Sequence, residues 1–162
     1  MRTLVLSILL ASLAGQAAAL SCIRPDPIAT FNRLAAEEEA YYILLGEIRF
    51  DEALLPDGFD NARQSDPDPI PTLFAGLGLG EKGFTIPYHA PANLQIQCYG
   101  PWCGGAADGM RAVFFLPASN PPVTLLADPC GQMIFSEPSD AVLDMLASCM
   151  RGDACESLDT FD

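Results

Sequence analysis

Six cysteines constrain this chain more than any other feature: Cys22, Cys98, Cys103, Cys130, Cys149 and Cys155 all follow a short apolar N-terminal block. That block, "MRTLVLSILLASLAGQAAALSC", opens with one cation at Arg2, runs apolar through Leu10 and ends in small residues, the layout of a secretory signal peptide. It is too short and too rich in Ala and Gly for a good membrane span, and no later stretch is apolar enough for one. Ala17 and Ala19 suit cleavage after residue 19, while Ala19 and Ser21 would suit cleavage after residue 21. Lipid attachment at Cys22 is disfavoured, because Ala19 stands where a lipoprotein signal carries Leu. Export places an even set of cysteines in an oxidising compartment, periplasmic or secreted, where they read as three structural disulfides. Taken alone, six thiols leave fifteen pairings open.

Residues 1–19 are therefore expected to be removed and 20–162 to form one domain. Its length of about 140 residues buries a real core without a metal or a second subunit. The formal net charge is −13, from 8 basic and 21 acidic residues, and loss of Arg2 with the leader makes it one unit more negative. Such a surface excludes nucleic acid and anionic membrane as partners after signal removal. Its simplest meaning is an acidic coat that keeps an exported protein soluble.

Along the chain, "DPIATFNRLAAEEEA" reads as a helix, with Asp26 as cap, Pro27 in the first turn, and Ile28, Phe31, Leu34 and Ala35 on one face. Glu37, Glu38 and Glu39 are then its polar end. "AYYILLGEIRF" reads as a strand, apolar on both faces at first and polar at Glu47 and Arg49. Residues 51–71, rich in Pro, Asp, Asn and Ser, are expected to form a flexible exposed loop. In "TLFAGLGLGEKGF", Leu77 and Leu79 alternate with Gly76, Gly78 and Gly80, as a tightly coiled barrel strand requires. "NLQIQC" puts Leu94, Ile96 and Cys98 on one face, so Cys98 points inward. "MRAVFFL", "VTLLA" and "QMIF" supply three more short strands. "SDAVLDMLASCMRG" closes as a helix capped by Ser139, with a Val142, Met145, Leu146, Cys149 stripe and a stop at Gly152.

The stretch "QCYGPWCGG" tests for redox chemistry. A thioredoxin-like centre uses two intervening residues and a helix N-terminus that lowers the thiol pKa. Between Cys98 and Cys103 there are four, the first cysteine ends a strand, and Gly104 and Gly105 follow, so the pair reads as a staple. Trp102 covers that staple in this reading and, beside Pro101, is the candidate partner contact. Gly78, Gly80 and Gly83 have dinucleotide-fingerprint spacing, but Pro87 and Pro91 forbid the helix that binds pyrophosphate. His89 is the sole histidine, expected in a Pro-flanked loop, and is too little for a zinc site. Asp57, Asp60, Asp66 and Asp68 lack the spacing and Gly turn of a calcium loop. No Ser sits in a nucleophile elbow. No catalytic set, cofactor or metal is expected.

Helix, short strands and helix in a stapled exported domain suggest a small β-barrel with flanking helices. The order of Cys22 with Pro25, a helix, "YYILLGEI", the "CG" at Cys103 and Gly104, "FFL" and Cys130 resembles the netrin-like domains. These are OB-fold barrels that include the tissue inhibitors of metalloproteinases and many bacterial secreted proteins. "GFTIPYHAP", "CYGPWCGG" and "CMRGDAC" are similar to a group of exported α-proteobacterial proteins of unassigned function. The resemblance implies an OB-like barrel in which Cys22 pairs with Cys130. Each remaining pair, Cys98 with Cys103 and Cys149 with Cys155, then lies close across a Gly-containing segment.

The expected function is a non-catalytic binding module for a protein, peptide or glycan. Two alternatives stand beside it. In the metalloproteinase inhibitors an N-terminal Cys offers its amino group and carbonyl to the target's zinc, held by a Cys-x-Cys pair. Ser21-Cys22-Ile23-Arg24 lacks the second cysteine, and Cys22 is terminal only after cleavage at Ser21. The other alternative is a thiol-disulfide oxidoreductase using Cys98 and Cys103, which would leave one of them open to a thiol probe.

Overall fold

A computed structural model of the protein describes residues 20–57, 65–119 and 121–157, so the expected leader at 1–19 lies outside the described residues. In chain order these give α1 (Pro27–Ala35), β1 (Tyr41–Arg49), a 3-10 turn (Glu52–Leu54), β2 (Ile70–Gly80) and β3 (Gly83–Ile96). Then follow β4 (Cys98–Tyr99), β5 (Trp102–Cys103), β6 (Arg111–Pro117), β7 (Val123–Ala127), β8 (Ile134–Ser136) and α2 (Asp140–Met150). Six strands in the order β7-β3-β2-β1-β6-β8 make one sheet, while β4 and β5 form a separate hairpin. Neighbours in the large sheet are antiparallel except β3 and β7, which run parallel. Because β6 also packs against β7, the sheet curls into an OB-like half-barrel, mainly β with flanking helices as expected.

The curl gives β1 and β6 two buried faces. Leu44 and Ile48 of β1 and Phe114 and Leu116 of β6 point into the curl, where they meet Phe74, Leu94, Ile96 and Leu125. Ile43, Leu45, Val113 and Phe115 point outward beneath Ile28 and Leu34 of α1 and Leu146 and Cys149 of α2. This explains a strand that is apolar on both faces at its start.

α1 begins where Asp26 accepts the N–H groups of Ile28 (2.8 Å) and Ala29 (3.2 Å). It stops at Ala35, so Glu37–Glu39 lie beyond the helix rather than forming its end. Three carboxylates meet the negative end of the helix dipole unfavourably there. Ser139 caps α2 by accepting the N–H of Val142.

Tight coiling rests on a bare contact between β1 and β2. Gly46 and Gly76 are register partners, and a Cβ on Gly76 would stand 2.6 Å from the Cα of Gly46. Leu77 and Leu79 share one face as expected; it is the outer face, and only Leu79 is covered, by the helical layer.

The segment "GFTIPYHAP" departs from expectation, since it is strand throughout and His89 sits on β3 opposite Ala75 rather than in a loop. The reason lies on the sheet's border. β7 pairs only with Ala92–Ile96, so among the described residues the earlier half of β3 is a free edge, and Pro87 and Pro91 place their missing donors along it. Residues 51–71 are tied at both described ends. Asp51 caps the 3-10 turn, Glu52 accepts the N–H of Asp108 (2.8 Å), and Asp66 accepts that of Cys98 (2.6 Å). β2 already starts at Ile70, and Asp60 lies outside the described residues. Among the described residues no helix is long and apolar enough to cross a membrane.

Candidate functional site

All six cysteines are at bonding distance in the expected pairs, Cys22–Cys130, Cys98–Cys103 and Cys149–Cys155. The first joins the segment before α1 to the turn after β7. Asp128 shapes that turn by accepting the N–H groups of Cys130 (2.9 Å) and Gln132 (2.7 Å). Gln132 in turn donates to the carbonyl of Ile23 at 3.2 Å and accepts from the buried Thr30 hydroxyl at 3.2 Å. The third disulfide closes the chain after α2, where Asn32 donates to the Cys155 carbonyl at 3.1 Å.

The second disulfide closes a surface hairpin. Cys98 faces Cys103 and Tyr99 faces Trp102 across the β4–β5 hairpin. Both sulfurs rest against the inner core, which agrees with the inward direction read for Cys98. The hairpin is pinned to the sheet at its base: Gln97 donates to the Ala127 carbonyl and Gly104 to the Gln97 carbonyl, each at 2.9 Å. Gly104 is required there, because a Cβ would stand 2.8 Å from the carbonyl carbon of Asp128. The backbone is thus held by a covalent closure, these two hydrogen bonds, that of the Cys98 N–H to Asp66, and one close approach.

What this rigid loop displays is aromatic. Pro101 and Trp102 are half-buried, and Tyr99 is 71% exposed. Reasoning from sequence singled out Pro101 and Trp102 and missed Tyr99. Its signal was in the alternation already used: if Cys98 points inward, the next residue of the strand points out. A solvent-facing Tyr on a preorganised backbone offers a flat apolar face and a hydrogen-bonding hydroxyl at little ordering cost.

The other sequence candidates do not gather around it. Gly78, Gly80 and Gly83 flank the tight β2–β3 connection and no helix follows them. Cys98 lies at no helix N-terminus, since α1 and α2 begin at Pro27 and Asp140. His89 lines a shallow outer-face groove of about 390 Å³ with Glu47 and Arg111, above the Gly46–Gly76 contact. Among the described residues no three His, Cys, Asp or Glu side chains are grouped to hold a metal ion.

A second cleft, of about 410 Å³, opens between the ends of α1 and α2 and the start of β1. Tyr41 stands on its lip and donates its hydroxyl to Glu37 (3.1 Å) and Glu39 (3.2 Å). Burial, then these two carboxylates, push the Tyr41 hydroxyl up to about 12, so it stays protonated and donating. No family model, curated protein or solved structure matches the chain.

Proposed function

We propose that the protein is an exported, non-catalytic binding module that grips a protein, peptide or glycan partner with the 98–103 hairpin. The observation that carries this reading is Tyr99, 71% exposed on a loop whose backbone is locked by Cys98–Cys103, Asp66 and Gly104. Exposed aromatics on a rigid backbone make strong anchors, because little freedom is lost when they are covered. Export to the periplasm or beyond is supported by the leader sequence and by cysteines that are all paired among the described residues. Kinship with the netrin-like domains is supported by the Cys22–Cys130 link and by the curled sheet between two helices.

Tyr99→Ala and Trp102→Ala test the reading. Partner capture from envelope extract, or binding on a glycan array, should fall at least tenfold for one of them while the circular dichroism spectrum is unchanged. Capture that is equal for both variants and the parent would refute the hairpin as the binding element.

A second reading, metalloprotease inhibition, is favoured by one observation. Ile23, next to the bonded Cys22, is 85% exposed and stands out on a ridge fixed by Cys130 and Gln132. It requires Cys22 at the mature N-terminus, and an intact mass beginning at Leu20 would remove the chelating amine.

A further inference from the structure

We propose that the cleft between α1, α2 and β1 docks a basic segment of a partner polypeptide, with an apolar side chain in the cleft and a Lys or Arg on its acidic lip. This goes beyond the hairpin reading and shares no residue with it.

The floor is apolar, made by the buried Leu34, Ile43 and Phe115, and the half-buried Phe31 and Met150 stand at its sides. At about 410 Å³ it falls at the small end of ligand-sized clefts, room for a side chain or two rather than a folded domain.

Four features give the lip its preference for a cation. α1 ends at Ala35 and α2 at Met150, so the negative ends of both helix dipoles arrive here. Glu37, Glu38 and Glu39 follow directly, all exposed. The arginines that could neutralise them are committed: Arg33 pairs with Glu37 at 3.2 Å and Arg151 with Asp153 at 2.8 Å. Glu38 and Glu39 have no basic partner among the described residues. Tyr41 then fixes the Glu39 carboxylate at the opening instead of letting it swing into solvent.

Charge also selects among occupants. A second copy of this chain, at −13, or an anionic lipid surface would bring repulsion to this lip. The chain's own C-terminal residues are a poor fit, being acidic at Asp159 and Asp162. They also start from Ser157, which touches Asp26 at the opposite end of α1, about 13 Å away along nine residues.

The test uses the full exported chain with its disulfides formed, labelled for NMR, and three capped tetrapeptides: Lys-Leu-Phe-Lys, Glu-Leu-Phe-Glu and Lys-Ser-Gly-Lys. Lys-Leu-Phe-Lys should shift the Met150 methyl and the amides of residues 35–41 saturably. The other two should bind at least about fivefold more weakly, the first through repulsion and the second for want of an apolar anchor. E38Q/E39Q, at exposed positions, should weaken Lys-Leu-Phe-Lys by about fivefold and leave the remaining spectrum superimposable. Tyr99→Ala should leave this titration unchanged, so that failure here and failure of the hairpin reading are separable. Equal affinity for the three peptides, no effect of E38Q/E39Q, or shifts mapping to the hairpin would overturn the proposal.

Discussion

The two faces of β1 and β6 are buried by different means. Inside the curl, Phe74, Leu94, Ile96 and Phe114 are closed over by strands and by the loop residues Phe50, Leu55, Ala106 and Met110, and Phe114 meets Phe74 edge-on with ring centroids 5.5 Å apart. Outside, Leu45, Val113 and Phe115 depend on helices of nine and eleven residues. Helices that short do not hold by themselves in water and need a surface to pack on. Two of the three disulfides sit on this outer layer, Cys22–Cys130 anchoring the segment before α1 and Cys149–Cys155 tying the last turn of α2 to the segment after it. Sulfur is placed where local structure is weakest, and Cys98–Cys103 follows the same logic on a two-strand hairpin that has no core of its own.

The comparison can be broken most forcefully at the long closure. Cys22→Ala with Cys130→Ala opens a loop with a sequence separation of 108, for which chain entropy gives a loss of about 5 kcal/mol, read from the denaturation midpoint. Phe114→Ala, at 1% exposure inside the curl, should cost about 4 kcal/mol in the same measurement and accelerate hydrogen exchange throughout the sheet. Removing Cys149 and Cys155 together should cost only about 2 kcal/mol, because the loop is short. Its exchange signature is sharper: amides of α2 should lose protection while those of β1 and β6 keep theirs, and uniform loss would abolish the distinction between layers.

The smallest effect concerns the lip of the outer layer. Tyr41 is raised to about 12, by burial first and by Glu37 and Glu39 next, so the folded state holds its proton more tightly than the unfolded chain. That contribution is intact below about pH 10, the ordinary tyrosine value, and is lost as pH rises toward 12. Tyr41→Phe should flatten the fall in thermal midpoint across this window, and an unchanged slope would place the titration elsewhere.

Much of this architecture was legible in the sequence because period and punctuation were clean. The caps at Asp26 and Ser139, the doubly apolar start of β1 and the alternation of Leu94, Ile96 and Cys98 all correspond to observed elements. Long-range features were not legible. Pro87 and Pro91 read as a loop because a proline's tolerance depends on whether its side of the strand is paired, which only the register reveals. The Gly46–Gly76 approach joins residues thirty positions apart, and nothing local at Gly46 announces it. Of the hairpin, sequence supplied the staple, Pro101 and Trp102, while Tyr99 was overlooked among residues read for redox spacing. The cleft was hidden because Glu37–Glu39 were read as a helix end, and their role as a lip appears only once Ala35 ends α1 beside Met150.

The bare half of β3 has one last consequence. Along its border the alternate positions 87, 89 and 91 offer a single amide hydrogen, that of His89, where an incoming ribbon would need three. Fibrillar growth from molecule to molecule therefore has no template on this side, and the protein can be concentrated without polymerising through it.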